Sequence, residues 1–353
     1  KLNNQSISNF NFIILLFCFL IFHSVIFSSC IKHEEEIAPN TELYVKIAKW
    51  QGNKKAAILL QFDDSTPGQA QLGVPALNSR NFVGTWYVNP GRDAFISNIN
   101  TWENIAPEGG QELANHTMTH TGANTYEEVV YEVGEASKII WKIRGDENFG
   151  SLIAFNRGGG TTWDEEDLAN VLDEYYNIDR LSYIGIRLIA LSVPAGSNAN
   201  EMYEIIPLAI QDSIIGSLHF HGISAEDGDP PMDWGNAGVW IYEFEKLLDK
   251  LEDIKNDIWI CGYIQVYKYI KEKDSATIAI EQNSENKYTV ALTSETDPKY
   301  FNEELTIVAS IPGIWKSCTV TQNNKTENYS LSNGILIFNA LPNKGDIVIE
   351  KKL

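Results

Sequence analysis

From about residue 46 to residue 272, strand-like and helix-like segments take turns along the chain, and no other feature limits the possible folds as much. "AAILLQF" (56–62) is a continuous apolar run closed by turn-forming residues, as expected of a strand buried on both faces. "NFVGTWYVN" (81–89) is rich in β-branched and aromatic residues, and "GQELANH" (110–116), "GSLIAF" (150–155), "SLHFHG" (217–222) and "DIWICGYI" (257–264) also read as strands. Helical stretches separate them: "GQAQLGVPALNSR" (68–80), "TYEEVVYEVGEASKIIWKIRG" (125–145) and "WIYEFEKLLDKLEDI" (240–254). In the second of these, Val129, Val133, Ile140 and Ile143 fall on one stripe. "TTWDEEDLANVLDEYY" (161–176) opens with Thr162 and Glu165 at capping-box spacing. Repeated β–α units predict an α/β domain with a parallel sheet, open or closed into a barrel. In barrels, functional side chains gather at the carboxyl ends of the strands.

The pattern changes at residue 273. "SATIAIEQ", "KYTVALTS", "ELTIVASIP", "CTVTQN", "ILIFNAL" and "DIVIEKK" are short strands between turn signals, with no helix-length stripe. They predict a small all-β sandwich over 273–353. At the other end, "NFIILLFCFLIFHSVIFSSC" (11–30) is an apolar run ending in small residues and a cysteine, the pattern of an export signal over 1–29. Ser28-Ser29-Cys30 resembles a bacterial lipobox, in which Cys30 carries the lipid. An uncleaved transmembrane anchor is the rival reading, and His23 and the short flanks count against it. Either way the rest of the chain is expected outside the cytoplasm, on a polar, acidic tether over 30–45. Cys261 and Cys318 fall in different predicted domains, which favours two buried thiols over a bridge.

Three features sit just past predicted strands. The first is Asp63-Asp64, at the end of "AAILLQF". The second is "NHTMTH", with His116 and His120. The third is "HFHG", with His219 and His221. The chain has six histidines. One lies in the signal and one in the tether, so both remaining pairs sit at strand ends. Adjacent carboxylates at the end of a buried strand repel unless water or a cation neutralises them. Two histidines four apart share a face of a helical turn and can hold one metal, with a carboxylate as third ligand. Two histidines and a carboxylate, with no thiolate, suit a catalytic divalent ion: zinc first, with cobalt, nickel or manganese as alternatives. A net charge of −20 works against nucleic acid and anionic surfaces as partners. Nine Trp and fifteen Tyr suit sugar stacking, and equally a large aromatic core.

"QFDDS", "GQELANHTMTH", "RGGG" and "HFHGI", in this order and spacing, resemble the polysaccharide deacetylase family, of NodB homology and carbohydrate esterase 4 type. "FVGTWYVNP", "DIWICGYIQVYKYI" and "FNEELTIVASIP" extend the resemblance over nearly the whole chain after the signal, closest in style to secreted Bacteroidetes members; the acidic "KHEEE" after Cys30 also resembles an export signal of some of their lipoproteins. The resemblance implies a distorted (β/α) barrel over 46–272, followed by the sandwich. It implies a hydrolase that removes O- or N-linked acetyl groups from a polysaccharide. Asp64, His116 and His120 would hold the metal, Asp63 would be the general base and His221 the general acid, with His219 as the alternative acid.

The chain departs from the family pattern in three places. "FNRGGGTTW" lacks the proline of the third motif. Arg157 could there be the arginine that orients the base, could occupy the proline position, or could merely be half-exposed beside a glycine turn. The fourth motif has no match in "NIDRLSYIGIRLIALS", where Arg180 is a possible contributor. Ser65 stands where the family's first motif has glycine. Gly159 is expected to let backbone approach the substrate. Trp163 and Trp234, after Gly- or Pro-rich turns, are the expected sugar platform, and Trp86 is expected in the core. Two other readings compete: a catalytically degenerate glycan-binding protein, favoured by the altered motifs, and another C–N hydrolase on the same scaffold.

Overall fold

The computed structural model describes residues 42–105, 110–146, 150–159, 161–180, 187–225, 238–311 and 315–352. The export segment, Cys30, most of the expected tether and Trp234 lie outside them. Among the described residues no helix is long and apolar enough to cross a membrane.

The α/β part is one sheet of eight parallel strands. They are β2 (Ala56–Asp63), β3 (Gly84–Val88), β4 (Glu112–Asn115), β5 (Ile153–Phe155), β6 (Asn177–Asp179), β7 (Leu188–Ser192), β8 (Ile215–Phe220) and β11 (Ile258–Ile260). The order is β6-β5-β4-β3-β2-β8-β7, with β11 paired to the first half of β2 and β3 to its second half. No pairing joins β6 to β7 among the described residues, so the barrel is incomplete. Two short strands, β9 (Gly222–Ser224) and β10 (Gly238–Trp240), form a separate parallel pair beyond β8.

All eight residues of β2 are buried, because the two faces of the strand meet two different cores. Ile58, Leu60 and Phe62 pack outward among Trp86, Leu218, Phe220 and the helix Ile241–Asp253. Ala57 and Leu59 point inward with Tyr87, Ala114, Ala154 and Ile215. A strand side chain points to the same face every second residue, so Gln61 and Asp63 also face inward. The barrel interior thus turns from apolar to polar towards the carboxyl ends of the strands. The helix Glu165–Glu174 forms as expected, but its cap is Asp164 rather than Thr162. The Asp164 carboxylate accepts from the amides of Glu166 and Asp167, two orphan donors of the first turn.

The C-terminal strands form two antiparallel sheets, β12-β13-β18-β15-β16 and β1-β14-β17. The strands are β12 (Ala276–Ser284), β13 (Lys287–Ser294), β14 (Leu305–Ser310), β15 (Ser317–Gln322), β16 (Lys325–Ser330), β17 (Ile335–Ala340) and β18 (Ile347–Lys351). The edge strand β1 is Tyr44–Ile47, from ahead of the barrel, and it starts where the tether was expected to run to residue 45. It carries only Val45 and Ile47 as inward apolar residues, too short a pattern to stand out in the sequence. One buried cluster runs from the barrel interior through Tyr263, Val266 and Tyr269 into the sandwich residues Val290, Ile307 and Ile349. Cys261 and Cys318 are buried free thiols.

Candidate active site

Beyond β2 the backbone reverses sharply. Asp64 (φ 81°) and Ser65 (φ 48°) both adopt left-handed conformations, costly for residues with a side chain and concentrated at functional sites. Ser65 is the position where the family pattern has glycine, and here its hydroxyl accepts from the Asn89 amide at 3.1 Å, tying this turn to the end of β3. Gln69 donates to the carbonyl of Asp63 and to that of His221, joining the ends of β2 and β8.

His116 and His120 do not share a helical turn, contrary to the expectation from their spacing. Thr117 (φ 71°) and His120 (φ 66°) are left-handed, which a right-handed helix excludes. The segment is an irregular bend held by side chains. The Asn115 side chain accepts from the Thr117 amide at 2.7 Å, Thr117 Oγ1 accepts from the His120 amide at 3.0 Å, and the Asn89 amide group donates to the carbonyls of His116 and Thr117.

That bend brings both rings onto Asp64. His116 Nε2 lies 3.4 Å and His120 Nε2 3.6 Å from Asp64 Oδ1, and the three ligand atoms lie within 4.8 Å of one another. His116 Nδ1–H donates to the Asn156 carbonyl at 2.6 Å, which fixes the ring and turns Nε2 towards Asp64. One carboxylate oxygen and two imidazole nitrogens fit a divalent cation with open positions towards the cavity. Arg92 Nη1 lies 4.0 Å from the same Asp64 oxygen. Burial works to raise the Asp64 pKa, and the hydrogen bond and charge of His116 outweigh it, so the group stays below the usual carboxylate value. Burial, then the charge of His116, lowers the pKa of His120.

Asp63 is buried beside this trio and is held by other partners. Arg180 grips it with two parallel bonds, Nη1 to Oδ1 at 2.8 Å and Nη2 to Oδ2 at 3.0 Å, and Asn156 Nδ2 donates to Oδ2 at 3.2 Å. Arg180 also lies over the Tyr87 ring, 4.8 Å from its centroid. Burial would push the Asp63 carboxyl up, but the charges of Arg180, His116 and His221 reverse this and lower its pKa. Asp63, Asp64, His116, His120, His219 and His221 line one cavity of about 640 Å³, together with Asn156, Arg157, Gly159, Thr161, Arg180 and Ser192.

The arginine on Asp63 is therefore Arg180, not Arg157. Arg157 lies at the cavity rim and pairs with the exposed carboxylate of Glu165 at 2.5 Å. The physical reason is reach. Arg180 follows β6, whose Asp179 is in register with Phe155, and it runs across the barrel end to Asp63; the residue on β5's own exit that touches Asp63 is Asn156. Trp163 does not line the cavity. Its ring packs against the cluster of Ala123, Val129, Phe155 and Leu168, and its indole N–H donates to Thr161 Oγ1. Trp86 lies in the core, stacked on Phe62 with centroids 4.0 Å apart.

Of the three glycines, Gly159 lines the cavity with open space where a side chain would be, and Gly158 is required by a ligand. A Cβ on Gly158 would sit 2.1 Å from His120 Nε2. Gly158→Ala is expected to weaken divalent-metal affinity by roughly 10- to 100-fold, as displaced supporting groups do at metal sites. Isothermal titration with metal against the parent protein measures it.

The two late histidines differ in kind. His219 Nε2 is turned into the barrel, 2.9 Å from Ser217 Oγ and 3.2 Å from Gln61 Nε2. Burial, then the charge of Arg180, pushes its pKa down to about 4, so near neutrality the ring is the neutral imidazole. His221 lies past the end of β8 on the cavity wall, with its carbonyl taken by Gln69. Asn156, Gln61, Gln69 and Asn89 were not singled out from the sequence. Their signal was faint: Asn89 and Asn156 just past apolar strands, Gln61 at an inward position of one, and Gln69 at the head of a helical segment.

Residues 51–160 match the family model described as polysaccharide deacetylase. That span holds Asp63, Asp64, His116, His120 and Asn156 and stops short of Arg180, His219 and His221. The chain is 23% identical over 339 residues to a gellan lyase from Bacillus sp, covering 86% of this chain and 13% of that relative, so it spans a small part of the relative's length. Among solved structures it resembles a family 4 acetyl xylan esterase from Clostridium thermocellum in complex with cobalt (13% identity, 60% of this chain and 90% of that chain, TM-score 0.38). It also resembles a peptidoglycan deacetylase from Bacillus subtilis (14% identity, 62% and 92%, TM-score 0.36). With overlaps this low, the fold assignment stands on the strand order itself.

Proposed function

We propose that this chain is a metal-dependent hydrolase that removes acetyl groups from a polysaccharide. One observation carries the reading: Asp64, His116 and His120 converge as a ligand set, while the adjacent Asp63 is held apart from them by Arg180 and Asn156 in the same cavity. The match of residues 51–160 to the polysaccharide deacetylase model supports it.

A divalent ion on Asp64, His116 and His120 would supply a Lewis acid and lower the pKa of water in the site. Zinc is proposed first, with cobalt, nickel or manganese also compatible with the donor set. Asp63, kept ionised by Arg180, accepts a proton from the water that attacks the acetyl carbonyl carbon. The C–O or C–N bond to the sugar then breaks. His221 gives its proton to the leaving oxygen or nitrogen, so the products are acetate and a sugar hydroxyl or amine. Gly159 leaves room for the saccharide, and Trp234 is retained as a proposed stacking residue. The complete set of ligands, base and acid weighs against a purely glycan-binding role.

The test is acetate release from acetylated xylan, from N-acetylated chitin oligomers and from 4-methylumbelliferyl acetate. Activity lost on dialysis against chelator and restored by a divalent salt is expected. Bound metal with no acetate from any of the three would remove the proposal. We further propose export by residues 1–29 and lipid attachment at Cys30, on the lipobox-like "SSC". Radiolabelled palmitate should enter the full chain and not its Cys30→Ala variant.

A further inference from the structure

Beneath the candidate base, the barrel interior holds a chain of polar side chains that the reaction above does not use. Tyr87 is fully buried, and burial pushes its phenol well above its ordinary pKa, so it remains a donor. It donates to Gln61 Oε1 at 2.6 Å. That bond orients the Gln61 amide, because the reversed amide would take away the acceptor that the buried Tyr87 hydroxyl proton has among the described residues. The Gln61 NH₂ then points to Ser217 Oγ at 2.6 Å and to His219 Nε2 at 3.2 Å. With its oxygen accepting from Gln61, Ser217 turns its own proton to His219 Nε2 at 2.9 Å.

Two donors converge on His219 Nε2, so that nitrogen presents its lone pair and the ring proton sits on Nδ1. Gln61 and His219 are register neighbours on β2 and β8, so the parallel pairing itself sets their approach. The ring is half-buried and lines the cavity beside Asp63 and His221. With Nε2 turned inward, the Nδ1–H edge is the polar edge left for a ligand. We propose that His219 is a substrate-binding residue, a neutral imidazole whose Nδ1–H donates to a hydroxyl of the saccharide and seats the sugar against the base and the acid. The assignment of a sugar as ligand rests on the deacetylase reading. The tautomer does not.

Burial and Arg180 keep the ring unprotonated, which allows it to act as a donor of fixed direction without adding a charge next to Arg180. A neutral donor suits an uncharged hydroxyl, and the Tyr87–Gln61–Ser217 chain holds it in place before substrate arrives.

Two measurements test this on the full chain. In ¹⁵N-histidine-labelled protein, His219 is expected as the neutral Nδ1–H tautomer with no titration between pH 5 and pH 8. An Nε2–H tautomer, or a protonated ring in that window, overturns the proposal. In His219→Phe, kcat/KM on acetylated xylan or the N-acetylated chitin oligomer, whichever the parent hydrolyses, is expected to fall about 10- to 50-fold more than kcat/KM on 4-methylumbelliferyl acetate, which has no sugar. The excess loss should lie mainly in KM, with metal content unchanged. Equal losses on both substrates mark a structural role and overturn it, as does an unchanged glycan rate. Should that variant fail to fold, Ser217→Ala removes one inward donor and is expected to show the same selective loss, smaller in size. A parent inactive on all substrates overturns the deacetylase reading and the sugar assignment together, while the nitrogen spectra still decide the state of His219.

Discussion

His116→Ala is expected to lose its bound divalent ion and to release acetate about 10³-fold more slowly, or less, than the parent protein. The ring is buried, fixed by its bond to the Asn156 carbonyl, and aimed at Asp64. Without it, one carboxylate and one half-exposed histidine remain, which is too few protein ligands for a tightly held catalytic ion. The freed Asn156 carbonyl adds a stability cost of about 1–3 kcal/mol, the usual penalty for an unpaired buried group. Elemental analysis of the purified variant, beside circular dichroism to confirm that it folds, reads the first effect directly. A folded variant with near-stoichiometric metal and ordinary turnover would sink the ligand assignment.

The second large effect separates two arginines. Arg180→Met is expected to lower kcat by roughly 10²- to 10³-fold, comparable to losing a positioned acid–base group. It is also expected to cost about 3–5 kcal/mol of stability, as when one partner of a buried ion pair is removed. Asp63 is 4% exposed, and without the guanidinium only Asn156 would remain on its oxygens. Arg157→Met breaks a pair whose carboxylate is 71% exposed, a contact in the range of about 0–1 kcal/mol, and turnover is expected within threefold of the parent. Urea denaturation and acetate assays on both variants decide the matter. An inactive Arg157 variant beside an active Arg180 variant would reverse the assignment.

What these two arginines show is where sequence reading stops. The alternation of apolar runs with helical stripes was enough to place a parallel β/α sheet and a β-rich region after it, because burial on two faces leaves a long, local mark. Five of the site's polar residues could be named from strand ends alone, since Asp63, Asp64, His116, His120 and His221 sit where a β/α sheet exposes its chemistry. Arg157, two residues past β5, looked equivalent to Arg180, one residue past β6. Their roles depend on which guanidinium can cross the barrel end to Asp63, a distance between strands that no local pattern encodes.

The same limit applies to conformation. Spacing of four suggested a helical turn for His116 and His120, while left-handed backbone at Thr117 and His120, held by Asn89 and Asn115, made a different bend that still joins the rings. By itself, the sequence determined a parallel β/α sheet followed by a β-rich region and named the candidate metal-ligating residues, because periodicity and residue type are properties of neighbours along the chain. Only the tertiary structure decided which arginine holds Asp63, which late histidine turns a ring nitrogen into the barrel, and why residue 158 has no side chain. Each of those depends on groups brought within a few ångströms from strands far apart in sequence.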